Sequence, residues 1–477
     1  MRLPFGSCAA LLLGVLAGTA AVAAAPDPAA DALSHALFKQ LIEINTTDTP
    51  AGNVTSAAAA MARRLRAAGF PAGDLALLGP TDRKKNLIVR LHGTGRYAPL
   101  LVIGHLDVVE ARREDWSTDP FKLIEKDGYF YGRGTVDMKS SDAIALATLM
   151  RLHREGFRPS RDIILALTAD EEGGCCNGVA WLLKNHRPLI DAQLVLNMDD
   201  YSVILDHGVP QFFRMVASEK VYADYQLAVT GPGGHSSQPG ADNVIYTLTR
   251  ALDRLGEYQF PFELNAVTRS YFERELPLQS AQRAADLRAL LRTPPDPAAV
   301  RRLSQDSVDA VLTHTTCVAT RLAGGHANNA LPQRAQALVN CRILPGHSPE
   351  EVRQQLIKVL ADPKVTVSYV ADDGRVLATA PEEHGFAPAP PAPQLLVPLE
   401  QLVGQMWPHL KVIPGMSAGS SDAVYTSSAG LPTYTFSGLA LDREDDREHG
   451  RDERLPVQSF YDANQFFYRY LKMVTSR

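Results

Sequence analysis

The sequence has few cysteines, no excess of positive charge, no internal repeat and no second long apolar run. Five cysteines occur in 477 residues, and no two stand at the two-residue spacing of a zinc knuckle, so they do not read as a structural zinc module. Lysine and arginine number 48 against 53 aspartate and glutamate, a formal net charge of -5. No basic face is implied, and nucleic acid is not expected as a partner. Beyond the N-terminus no stretch approaches the roughly 20 apolar residues of a membrane-spanning helix. The mature chain is therefore expected to be soluble, with no stable membrane insertion.

What is present is a chain that is 45% hydrophobic, ample for a buried core and too long for one ordinary domain, so two domains are expected. Its N-terminus reads as a processing signal. Arg2 supplies a positive start, residues 9–17 are an apolar run, and Ala23, Ala24 and Ala25 suit cleavage before Pro26-Asp27-Pro28. A signal peptide over 1–25 implies export to a periplasm or the extracellular space. Cys8 precedes the apolar run, the wrong place for a lipid-attachment cysteine. The remaining cysteines, Cys175, Cys176, Cys317 and Cys341, allow three disulfide pairings, and spacing alone selects none.

Short apolar runs at 86–91, 100–104, 163–168 and 194–196 read as buried strands, and helical spacing at 140–154 and 179–184 places helices among them. Strands alternating with helices predict an α/β fold whose mostly parallel sheet is sandwiched by helices. The pattern changes near Ser218. A half-exposed strand is expected over 225–230, helices over 243–255 and 281–291, a strand over 335–344, a helix over 349–360 and a strand over 365–369. This reads as a smaller α+β unit inserted in the first. The segment 271–316 is otherwise hard to assign. Alanine and proline alone fill 387–393, a loop or linker, and a final helix is expected over 460–474.

The polar residues of interest follow these strands. His105 and Asp107 come after 100–104, Asp170, Glu171 and Glu172 after 163–168, and Asp199 and Asp200 after 194–196. Open α/β sheets bind ligands at that edge. Carboxylates gathered there repel one another, and clustering them makes sense if cations neutralise them. In His105-Leu106-Asp107 the first and third residues face the same way, so Asp107 could accept a hydrogen bond from the ring nitrogen that does not bind metal. Taken alone, the pair reads as an ordinary surface contact. Asp137, in Gly132-Arg133-Gly134-Thr135-Val136-Asp137-Met138-Lys139, stands just before a helix and reads either as an N-cap or as a ligand bridging two metals. Asp170-Glu171-Glu172-Gly173-Gly174 is either an acidic solvated loop or one metal ligand beside one proton carrier. Gly231-Pro232-Gly233-Gly234-His235-Ser236-Ser237-Gln238-Pro239 is either a plain surface turn or a loop that lets backbone approach a ligand, with His235 a candidate oxyanion donor. In Glu448-His449-Gly450-Arg451-Asp452-Glu453, His449 taken alone is a histidine exposed among charges.

In order and spacing, these five elements resemble the co-catalytic zinc exopeptidase and amidohydrolase family, which includes aminoacylase, carnosinase, glutamate carboxypeptidase, carboxypeptidase S and succinyl-diaminopimelate desuccinylase. The resemblance covers nearly the whole mature chain. It implies two zinc ions, with other divalent metals able to replace them. His105 would bind the first and Glu172 and His449 the second, with Asp137 bridging both. Asp199 would complete the first site, with Asp200 its rival. Glu171 would be the general base, with Asp107 supporting His105. By the same resemblance His235 stabilises the oxyanion, Asn329 and Arg342 hold substrate, and Gly419 and Ser420 of Gly419-Ser420-Ser421-Asp422 line the pocket. The fork of an arginine suits a terminal carboxylate. The implied organisation is a catalytic domain in two parts, 26–217 and 370–477, with a lid and dimerisation domain at 218–369 through which a homodimer would form.

The resemblance implies an exopeptidase of carboxypeptidase or dipeptidase type, acting on short peptides next to a free carboxylate. An N-acyl-amino-acid amidohydrolase is the alternative, since the metal chemistry is the same. A non-catalytic metal-binding protein is disfavoured because every expected position is filled. Two-metal phosphoester hydrolysis lacks a phosphate cradle beyond Arg342. The Cys175-Cys176 pair beside the acidic loop departs from the family pattern.

Overall fold

The computed structural model describes residues 27–371, 373–382 and 391–476. The signal peptide expected at 1–25 and most of the linker expected at 387–393 lie outside the described residues; Pro393 opens the helix Pro393–Met406.

A ten-stranded sheet forms the larger unit. Its middle strands, Ile163–Thr168, Leu100–His105, Leu194–Asn197 and Thr433–Thr435, run parallel in that spatial order. Towards its edges the pairing is mixed, with Lys84–Leu91 antiparallel to Ile163–Thr168 and Val209–Glu219 antiparallel to Thr433–Thr435. The middle strands are unbroken apolar runs because both faces of the sheet are covered. Leu100 and Val102 enter one core while Leu101 and Ile103 enter another on the opposite face. Leu165 and Leu167 divide in the same way from Ile164 and Ala166. The larger core takes in the helices Pro28–Ile42, Val54–Ala67, Lys139–Arg154, Pro393–Met406 and Val457–Thr475. The smaller core takes in Leu182 and Ile190 from Gly178–Asn185 and Arg187–Ile190. Each fully buried aliphatic side chain stabilises the fold by roughly 1.5–3 kcal/mol, so the strand ends stand on a firm base.

A second sheet is antiparallel throughout, in the order Thr316–Gly324, Arg334–Ile343, Val221–Thr230, Thr366–Val370 and Val376–Leu377. Leu248 and Ala251 of Val244–Glu257 and Val352 and Leu356 of Pro349–Leu360 pack with Tyr225, Leu227 and Val339 of the sheet. The chain passes between the two sheets at Lys220, later than the break expected at Ser218, because Val209–Glu219 stays paired through Glu219 with Ser417. The second sheet also runs on to Leu377, beyond the expected boundary at 369. Two disulfides are present among the described residues. Cys317–Cys341 joins paired positions of neighbouring strands, and Cys175–Cys176 links adjacent residues.

The segment 271–316 contains the helix expected over 281–291, at Ala281–Leu290, and also holds the end of Ala266–Glu275 and the short helices Pro297–Leu303 and Ser307–Thr313. Each starts on a side chain that caps it: Asn265, Ser280, Asp296 and Asp306. Phe272, Leu287, Leu290 and Leu303 form their own small core.

Candidate metal centre

The three adjacent parallel strands Ile163–Thr168, Leu100–His105 and Leu194–Asn197 end at one edge of the sheet. His105 is the last residue of Leu100–His105, Glu171 and Glu172 follow Ile163–Thr168, and Asp199 follows Leu194–Asn197. His449 comes from far along the chain. Its loop is brought in by the strand Arg454–Pro456, which pairs with Tyr129–Tyr131, the strand just before the turn that carries Asp137.

The result is two ligand sets that share one carboxylate. His105, Asp137 and Asp199 offer atoms within 4.8 Å of one another, as do Asp137, Glu172 and His449. His105 Nε2 lies 2.9 Å from Asp137 Oδ1 and 3.5 Å from Asp199 Oδ1. His449 Nε2 lies 2.9 Å from both Asp137 Oδ2 and Glu172 Oε2. His105 Nε2 and Asp137 Oδ1 are buried and face each other at 2.9 Å, with no other hydrogen-bond partner among the described residues, so a cation shared by them would satisfy both. Asp137 does not cap the helix Lys139–Arg154, whose N-cap is Met138 without a side-chain bond. Asp200 is turned away from the cluster and paired with Arg214.

The electrostatics agree with a cation site. Burial, with the carboxylates of Asp199, Asp422 and Asp137, holds Glu171 well above the usual carboxylate range. Burial and Asp137 push Glu172 up to about 7, against the pull of His449. Hydrogen bonds to Asp137 and Glu172 push His449 up to about 11. All three shifts express an excess of buried negative charge, which a divalent cation neutralises.

Asp107 behaves differently from expectation. The nearest acceptor to His105 Nδ1 is the backbone carbonyl of Asp107, at 3.1 Å, while its carboxylate is 3.8 Å away. That carboxylate instead accepts the backbone N–H groups of Glu171, at 3.3 Å, and Glu172, at 3.0 Å. Two backbone donors outcompete one ring nitrogen already engaged by a carbonyl. Asp107 therefore holds the acidic loop with its side chain and the histidine with its main chain.

His235, Asn329 and Arg342 lie on the second unit. Among the described residues no hydrogen bond or ion pair joins them to the candidate metal ligands. His235, exposed on Gly234–His235, bonds through Nδ1 to the Ser237 hydroxyl at 2.7 Å. Asn329 accepts from Ser236 N with its backbone carbonyl. Arg342 lies over the Tyr222 ring at 4.8 Å. Gly419 donates its N–H to Ser417 Oγ, and Ser420 is exposed.

Three supporting acids were not singled out by the sequence. Glu453, fully buried, accepts from Arg133 Nη1 at 2.7 Å and from the backbone of Gly134, Val136 and Asp137 at 2.9, 2.7 and 3.1 Å. It thus shapes the turn that presents Asp137. Asp422 accepts from Thr168 Oγ1 at 2.9 Å and Asn177 Nδ2 at 2.7 Å, one on each side of the loop bearing Glu171 and Glu172. Glu219 accepts from the N–H and hydroxyl of Ser421, and Ser421 Oγ accepts from Asn197, two residues before Asp199. Glu453 and Asp422 both stand inside the quoted motifs. The available signal was that a charged residue in a glycine-rich turn can be its internal anchor.

The chain is similar to several known proteins. The mouse (Mus musculus) protein N-fatty-acyl-amino acid synthase/hydrolase PM20D1 is 27% identical over 393 residues, covering 78% of this chain and 74% of its own length. Probable carboxypeptidase S-like 2 of Dictyostelium discoideum is 28% identical over 391 residues, covering 78% and 71%. The crystal structure of an M20 family metallo-carboxypeptidase from Sulfolobus solfataricus, Sso-CP2, shares the fold with a TM-score of 0.67 and 17% identity, covering 93% of this chain and 99% of that one. Residues 101–473 match the description Peptidase family M20/M25/M40, and the chain belongs to that family.

Proposed function

We propose that this chain is a two-metal exopeptidase, of carboxypeptidase or dipeptidase type, that hydrolyses the amide bond of short peptides next to a free carboxylate. The observation that carries this reading is the pair of ligand sets, His105–Asp137–Asp199 and Asp137–Glu172–His449, joined through Asp137. Imidazole and carboxylate donors suit zinc, which is the proposed metal at both positions. Zinc ions bound there supply a water of lowered pKa and polarise the substrate carbonyl.

The chain's own residues do the rest. Glu171 is fixed through its backbone by Asp107 and has no ion pair or side-chain hydrogen bond among the described residues. Those features support Glu171 as the base that takes a proton from the attacking water and passes it to the leaving nitrogen. Arg342 has no carboxylate partner among the described residues, which supports a substrate carboxylate as its ligand. The second unit is proposed as a lid that brings Arg342, Asn329 and the oxyanion donor His235 to the substrate on closing. Export, proposed from the leader at 1–25, would present the enzyme with peptides outside the cytoplasm.

A second reading, N-acyl-amino-acid amidohydrolase, is favoured by the similarity to PM20D1 across most of the chain. A panel of dipeptides with free or amidated C-termini, set beside N-acyl amino acids, separates the two. The exopeptidase reading expects dipeptides with a free carboxylate to be cleaved fastest. Turnover of N-acyl amino acids alone would transfer the assignment to the second reading, and hydrolysis of neither class would refute both.

A further inference from the structure

We propose that the Cys175–Cys176 disulfide is a redox-modification site, opened by dithiol reductants, whose state controls the loop that carries Glu171 and Glu172. Cys175 is exposed, Cys176 is half-buried, and Glu172 lies three residues before Cys175. The loop is pinned at both ends. At the near end the Asp107 carboxylate holds the N–H groups of Glu171 and Glu172. At the far end Cys176 N donates to Asp170 Oδ2 at 3.0 Å, and the same oxygen accepts from Lys84 Nζ at 2.6 Å. Between the pins, Gly173 and Gly174 are exposed and have positive φ of 128° and 111°. Such glycines leave the backbone free to rearrange.

Along this loop the disulfide is the one covalent restraint beyond the chain itself. It closes a small ring around the Cys175–Cys176 peptide and so fixes the direction of the Cys176 N–H towards Asp170. Opening the ring frees that peptide to rotate, and the far pin is weakened. The other disulfide differs in setting: Cys341 is fully buried and Cys317 half-buried in a strand pair, whereas Cys175 is exposed, so a reductant reaches Cys175 first.

The exchange balances as follows. One thiolate of the reductant attacks Sγ of Cys175, the Cys175–Cys176 bond breaks, and Sγ of Cys176 leaves as a thiolate that takes up a proton. The second thiol of the reductant displaces Cys175 from the mixed disulfide. The protein gains two electrons and two protons, and the reductant becomes a cyclic disulfide.

The effect on turnover rests on the roles proposed above for Glu171 and Glu172; the state of the disulfide does not. The test therefore has separate arms on the full-length, metal-loaded protein. Dithiothreitol is applied and removed before assay, and iodoacetamide labelling with peptide mapping reads the thiols. Without reductant, Cys175 and Cys176 are expected to be unlabelled. After mild reduction both are labelled while Cys317 and Cys341 are not, backbone hydrogen exchange over 170–177 speeds up, and kcat falls roughly tenfold, as displacement of catalytic groups does. The Cys175→Ala/Cys176→Ala variant should lose this sensitivity. Labelling without reductant, unchanged exchange in the reduced protein, or sensitivity that survives in the double variant would each overturn the proposal. Absence of hydrolysis in every form, with labelling and exchange as expected, would count against the function and leave the redox site standing.

Discussion

Replacing Glu453 with glutamine tests how Asp137, the carboxylate shared by the two candidate ligand sets, is held. In the native turn one oxygen of Glu453 accepts from Arg133 Nη1 and Gly134 N, and the other accepts from Val136 N and Asp137 N. Glutamine keeps one acceptor but points an NH2 group at two donors. Arg133, itself buried, is then left without its carboxylate. Removing one member of a buried ion pair costs about 3–5 kcal/mol. Burial pushes the Glu453 carboxyl up even against the pull of Arg133, so part of the attraction offsets desolvation. The expected loss therefore lies near the lower figure, about 3 kcal/mol, a large share of the roughly 5–15 kcal/mol by which proteins are stable. Urea unfolding of the metal-loaded protein measures it. Tryptophan fluorescence is a suitable probe, because the Arg133 guanidinium sits 5.2 Å from the ring of Trp116. Metal affinity should fall in parallel, since Asp137 N is one of the four donors. A Glu453→Gln variant that loses less than about 1 kcal/mol, as an exposed pair would, refutes the argument that Glu453 anchors the turn.

Other outcomes follow from the site and its supports. Glu171→Gln should lower turnover by roughly 10²–10⁴-fold while metal content stays at the wild-type level; loss of metal instead would mean that the roles of Glu171 and Glu172 are exchanged. Arg342→Ala should raise KM for substrates with a free carboxylate by the equivalent of about 1.5–3 kcal/mol and leave amidated substrates little changed; an equal effect on both would reject the carboxylate role. Glu155 ties the helix Lys139–Arg154 to the final helix. Burial opposes its ionisation, but hydrogen bonds from Tyr468, Arg151 and Lys472 pull it from 4.5 down to about 2. The folded state then binds fewer protons than the unfolded state between those values. Its contribution is complete above pH 4.5 and is lost as pH falls towards 2. Glu155→Gln should flatten the acid side of the stability profile in that window, and an unchanged profile would remove Glu155 from the account.

The core of the fold was legible because parallel strands covered on both faces must be apolar throughout, as 100–104 and 163–168 are. The helix over 140–154 was equally plain from its apolar spacing, and the structure extends it by one residue to Lys139–Arg154. Strands whose two faces differ were harder. Val209–Glu219 begins exposed and ends half-buried, so it has no constant period, and its continuation to Glu219 moved the crossing point to Lys220. Within 271–316 the helix expected over 281–291 is present as Ala281–Leu290, but the seven-residue helices Pro297–Leu303 and Ser307–Thr313 gave little periodicity, although their caps Asp296 and Asp306 were visible as residue types. Most of the candidate ligand residues stood out because they follow a strand end or sit in a glycine-rich turn; His449, exposed among charges, was marked only by the family resemblance. Asp199 could not be separated from Asp200 by spacing; what separates them is Arg214, which engages Asp200 from a neighbouring strand. The support given by Asp107, Glu453 and Asp422 was hidden for the same reason. Hydrogen bonds between residues 64 to 320 positions apart leave no local pattern.

The most direct measurement is the metal content of the purified protein and of three variants by elemental analysis. Two divalent ions per chain are expected in the wild type, one each in Asp199→Ala and His449→Ala, and fewer than one in Asp137→Ala. A single ion in the wild type, or a content that none of the three substitutions changes, would contradict the paired site on which the account depends.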